Sequence, residues 1–171
     1  MKKLYLILSL FLVVNSAKPQ ATLVAGGLKV SLGKHGSFTE IIDIKTGINY
    51  LYKDTLAPLI TLISNEKRYL PEIFKYDASR GIVTLGFSQV KVKIEVKVLI
   101  RKTHLTFEII KAEPSNKIDG LVWGPVPTIL SKTIGEIIGV VRDDEIAIGI
   151  QVLNPKTLGG DYNKEGMTWN R

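Results

Sequence analysis

The sequence predicts an all-β fold, an antiparallel β-sandwich, and three observations predict it. Apolar and charged residues alternate without a fault from Val90 to Val98. Short runs rich in β-branched residues recur between clusters of Gly, Asn, Asp and Ser. No stretch after the first twenty residues carries the sustained i, i+3, i+4, i+7 apolar stripe of an amphipathic helix.

The alternation is the clearest element. A period of two puts Val90, Val92, Ile94, Val96 and Val98 on one face and Lys91, Lys93, Glu95 and Lys97 on the other, which describes a strand with one wet face. Leu105, Phe107 and Ile109 continue the pattern opposite His104, Thr106 and Glu108, with Arg101-Lys102-Thr103 as the hairpin connection. Further strands are predicted at Leu28 to Leu32, Phe38 to Ile42, Leu59 to Ser64, Ile82 to Phe87, Ile137 to Val141 and Ile146 to Leu153. Their boundaries are the turn-forming segments Gly33 to Gly36, Lys45 to Gly47, Asn65 to Lys67, Asp77 to Gly81 and Arg142 to Glu145.

At 171 residues the chain suits one domain with a real core and is too short for a catalytic barrel plus an accessory domain. The N-terminus reads as an export signal over residues 1–21. Lys2 and Lys3 precede an apolar run from Leu4 to Val14, too short for the roughly 20 residues of a membrane-spanning helix. Small and polar residues follow, and removal after Ala17 or after Ala21 fits them equally. The mature domain is then 22–171, secreted or periplasmic, with no membrane span. Without Lys2, Lys3 and Lys18 the net charge of +7 falls to +4. The remaining cations are dispersed, so nucleic acid is not an expected partner.

Composition narrows the chemistry. There is no cysteine, which excludes disulfides, thiolate nucleophiles and zinc-thiolate sites, and the two histidines, His35 and His104, cannot make a three-histidine metal site. His104 and Glu108 share a strand face but stand roughly 13 Å apart, beyond direct contact. His35 sits among turn glycines. Asp143-Asp144-Glu145 lacks the alternating acids and central glycine of a calcium loop and reads as a charged hairpin tip. Gly26-Gly27 and Gly159-Gly160 open no helix, so no phosphate loop is implied, and no G-x-S-x-G elbow occurs. No catalytic residue, metal site or cofactor is expected.

Aromatic residues offer a binding surface instead. An indole or phenol ring can pack on the apolar C–H face of a sugar while neighbouring polar groups bond its hydroxyls. The candidates are Trp123, in a segment stiffened by Gly124, Pro125 and Pro127, together with Tyr162 and Trp169.

Three stretches carry a family resemblance: Trp123-Gly124-Pro125 with the hairpin from Gly135 to Asn154, the segment Ile44 to Leu51 with its Asp-x-x-Thr-Gly turn at Asp43 to Gly47, and Asn154 to Gly160. Together they resemble the galactose-mutarotase-like β-sandwich that stands ahead of the catalytic barrel in secreted bacterial glycoside hydrolases. The resemblance implies a carbohydrate partner, a non-catalytic supersandwich domain of which this chain spans the first part, and a barrel domain or partner chain that holds the hydrolytic carboxylates. Two alternatives stay open: a stand-alone sugar epimerase or mutarotase, and a periplasmic or cell-surface interaction protein that pairs by strand addition.

Overall fold

The computed structural model describes residues 20–135 and 139–157. The expected export signal up to residue 19, and with it the candidates Tyr162 and Trp169 at the other end, lie outside the described residues. The strands run in the order β1 (Ala21–Ala25), β2 (Leu28–Leu32), β3 (Phe38–Asp43), β4 (Ile60–Ser64), β5 (Lys67–Tyr69), β6 (Ile73–Asp77), β7 (Ile82–Phe87), β8 (Val92–Ile100), β9 (Leu105–Glu113), β10 (Gly120–Trp123), β11 (Thr133–Ile134), β12 (Val140–Arg142) and β13 (Ala147–Gly149). A single 3₁₀ turn at Ser115–Lys117 is the sole helical element among the described residues. The fold is all-β, as the periodicity predicts.

Every ladder is antiparallel. The strands form sheets β1-β2-β3, β10-β4-β5, β6-β7-β8-β9 and β11-β12-β13. Three of the four sheets formed by the described residues feed one apolar cluster. Ala21, Leu23 and Leu32 come from the first, Ile60 and Leu62 from the second, and Phe74, Val83, Leu85, Phe87, Val92, Ile94, Val96 and Val98 from the third. Ile94 and Val96 are fully buried, and each such side chain contributes on the order of 1.5–3 kcal/mol of burial. A second cluster of Ile41, Leu51 and Ala57 holds the small sheet β11-β12-β13 to the body through Ile148.

Strand β8 shows why the alternation was readable. Val92, Ile94, Val96 and Val98 point into the core, while Lys93, Glu95 and Lys97 face outward. The strand starts two residues later than predicted because Val90 and Lys91 belong to the preceding turn, where Lys91 has φ +57° and its N–H reaches the carbonyl of Ser88 at 3.2 Å. Strand β4 has a different code. It is buried on both faces, so its residues form a continuous apolar and small-polar run rather than an alternating one. The long strand predicted from Ile146 to Leu153 shortens to β13, Ala147–Gly149. The one predicted from Ile137 becomes β12, Val140–Arg142, with residues 136–138 outside the described set.

The turn from Gly33 to Gly36 is a packing element as well as a reversal. Gly33 N–H bonds the Ser37 carbonyl at 2.8 Å, and Gly36, at φ +66°, lies against Leu85 and Phe74 with no room for a side chain.

Candidate functional site

Trp123 is the last residue of β10, whose register sets Trp123 opposite Ile60 and Leu121 opposite Leu62. Two-residue periodicity therefore turns Leu121 and Trp123 toward the main cluster, where both are partly buried. The indole meets Phe107 of β9, the two rings lying 6.4 Å apart at 54°. That is a tilted aromatic contact of the favourable kind. Since Phe107 stands opposite Val98 in the β8-β9 ladder, the aromatic pair joins two sheets.

The sequence placed Trp123 inside a stiff loop. It ends a strand, and the loop begins one residue later at Gly124, whose φ is +84° and whose bond to Pro125 is cis. This loop is fastened on both sides. Thr61 Oγ1 donates to the Gly124 carbonyl at 2.9 Å in a buried bond, and Gly124 N–H reaches the Leu59 carbonyl at 3.2 Å. Further along, Tyr52 N–H bonds the Pro127 carbonyl at 3.0 Å and Ile129 N–H bonds the Tyr50 carbonyl at 2.9 Å. The indole is thus held in place, partly buried against the main cluster and braced by Phe107.

The two histidines and the acidic hairpin tip are each engaged in or beside a turn. His35 Nδ1 donates to the Glu72 carbonyl at 3.0 Å, and His104, one residue ahead of β9, has Thr103 Oγ1 at 3.1 Å from its Nδ1. Asp143 caps the β12-β13 turn by accepting from the N–H groups of Glu145 and Ile146, both at 2.9 Å. The bond from Ile146 and then that from Glu145 hold its carboxyl below the usual range. Asp144 pairs with Lys132. Among the described residues no group of three or more His, Asp or Glu is placed to hold a metal ion.

One chemically distinctive residue had no sequence signal. Tyr50 is buried, and its hydroxyl is pushed up first by that burial and then by the carboxylates of Asp143, Asp43 and Glu145, against a hydrogen bond with Thr46. Two turns far apart in sequence converge there, which only the tertiary fold could disclose. The Asp43 turn itself is well formed: Thr46 Oγ1 donates to Asp43 Oδ2 at 2.7 Å and Gly47 N–H reaches the Asp43 carbonyl at 2.8 Å.

The outer face of β6-β7-β8-β9 is charged but balanced. Lys93, Glu95 and Lys97 of β8 stand opposite Glu113, Lys111 and Glu108 of β9. Ion pairs join Lys93 to Glu95 at 2.6 Å and Lys111 to Glu113 at 3.0 Å. Such a face projects little net field toward a polyanion. The small C-terminal sheet differs. Ile134, Val141 and Ile148 form one apolar row across its three strands, and Ile134 is 72% exposed.

No protein-family model, curated protein or solved structure matches this chain. Among the described residues no helix is long and apolar enough to cross a membrane.

Proposed function

We propose that this chain is an exported, non-catalytic β-sandwich of the galactose-mutarotase-like kind, the N-terminal part of a glycoside hydrolase, and that Trp123 is its carbohydrate contact. The observation that carries this reading is the partly exposed indole, braced by Phe107 and seated ahead of a loop fastened by Thr61. A ring held this way loses little freedom on binding, which favours a weak, repeated contact with sugar rings. The Asp43 to Gly47 turn supports the same reading, since it closes as a tight reversal at the place where the resemblance puts one.

Titration of the protein with plant and bacterial oligosaccharides, read by tryptophan fluorescence and calorimetry, tests it. Wild-type protein binds at least one glycan class, Trp123→Ala loses at least about tenfold in affinity, equivalent to about 1.4 kcal/mol, and Trp123→Phe retains part of it. Absence of binding to every glycan, or equal binding by Trp123→Ala, overturns the proposal.

A second reading rests on Ile134, which is 72% exposed on the edge strand β11 while Val141 and Ile148 beside it are partly buried. An exposed apolar side chain of this kind suits contact with a neighbouring domain or protein. Ile134→Lys would then abolish capture of a partner while leaving glycan binding intact. Equal capture by the variant removes this reading.

A further inference from the structure

The export signal leaves its own endpoint open between Ala17 and Ala21, and the first strand distinguishes the two. Gln20 N–H donates to the Leu32 carbonyl at 2.8 Å. Ala21 opens β1 opposite Leu32, is 4% exposed, and belongs to the main apolar cluster together with Leu23. Strand β1 alternates cleanly, with Ala21, Leu23 and Ala25 inward and Thr22 and Val24 outward.

Removal after Ala21 would delete the first of those three inward residues and strip Leu32 of its bond from Gln20. Removal after Ala17 keeps both residues. The local sequence alone does not choose, since a cut after Ala21 puts Pro19 at the −3 position and a cut after Ala17 puts Asn15 there, neither of them the small residue wanted; the strand makes the choice.

We infer that processing occurs after Ala17, so that the mature chain begins at Lys18 and Gln20 and Ala21 remain as structural residues of β1. The inference rests on the export reading above. Leader removal precedes folding, so the structural part concerns which product folds stably and accumulates. The hydrolysed bond is the peptide between Ala17 and Lys18, with water as the co-reactant.

The full-length chain expressed in a bacterium with a periplasm, followed by intact-mass measurement of the released protein, is the test. A product starting at Lys18 supports the assignment, and one starting at Thr22 overturns it. A chain that is never cut and stays with the membrane overturns the export reading itself, a result distinct from cutting at the wrong residue. The variant Ala17→Arg, with a bulky cation at the −1 position, should lower the level of released protein several-fold and accumulate uncut precursor. Trimming of that variant after Ala21, with release at wild-type level, would show that Gln20 and Ala21 are dispensable and would defeat the proposal.

Discussion

The hydroxyl of Thr61, in the middle of β4, donates to the carbonyl of Gly124 at 2.9 Å across a separation of 63 residues. Thr61 is 3% exposed, so neither partner can turn to water as a substitute. Thr61→Val preserves shape while leaving the carbonyl without this donor, and costs about 1–3 kcal/mol. Thr61→Ser keeps the hydroxyl and costs less. Urea titration of the three proteins orders them, and equal midpoints for wild type and Thr61→Val would show that the bond contributes nothing.

Two glycines with similar backbones separate strain from crowding. Gly36 has φ +66° and a Cβ there would lie 2.5 Å from Leu85 Cδ2 and 3.2 Å from Phe74 Cδ2, whereas Gly47 has φ +73° and nothing within 4 Å. Gly47→Ala carries only the left-handed penalty, about 1–2 kcal/mol. Gly36→Ala adds about 1–3 kcal/mol of overpacking. Thermal melts should show the larger loss at Gly36, and the reverse order would contradict the geometry of the turn.

Asp77 gives a pH dependence whose sign follows from its surroundings. The Ser79 hydroxyl, then the Arg80 side chain and the Arg80 N–H, hold its carboxyl well below the ordinary aspartate value of 3.8. The native state therefore favours the ionised form, so its stabilising effect is full above 3.8 and fades as the pH falls from there toward the lower folded-state value. Asp77→Asn should melt below wild type at neutral pH, with the gap narrowing in acid. A gap that is constant or widens in acid would contradict this.

The balanced outer face of the β6 to β9 sheet leads to a binding prediction. Because Lys93, Glu95 and Lys97 are each matched by an opposite charge on β9, the protein should elute from heparin or DNA columns at or below physiological salt despite its basic composition. Retention well beyond that would reveal an unbalanced patch elsewhere on the molecule.

What the sequence disclosed follows physical lines. Strands β2 and β7 were placed to the residue, and the inward set of β8 was legible because one wet face forces alternation. Strand β10 was hidden. Gly120-Leu121-Val122-Trp123 sits between turn-forming residues and becomes a strand only by pairing with Ile60 to Ile63, a contact no local pattern encodes. Strand β1 was hidden by its position beside the apolar N-terminal run, and β6 by the turn-like residues around it. Trp123 could be singled out as an aromatic beside a stiff segment, but its partner Phe107 and the bond from Thr61 to the following Gly124 depend on tertiary placement. The convergence of Asp43, Asp143 and Glu145 on Tyr50 is likewise a product of two distant turns meeting.

The pairing of β10 with β4 also orders events as the chain folds. The β6 to β9 meander closes through short hairpins at little entropic cost, whereas β4 must wait for a strand separated from it by a long intervening stretch. Amides of β7 and β8 should accordingly gain protection in pulsed hydrogen exchange before those of β10, and simultaneous protection would rule this sequence out. Until that late closure, Ile60 and Leu62 remain open to association with other chains, which makes Gly120 to Trp123 the segment that ends the period of greatest aggregation risk.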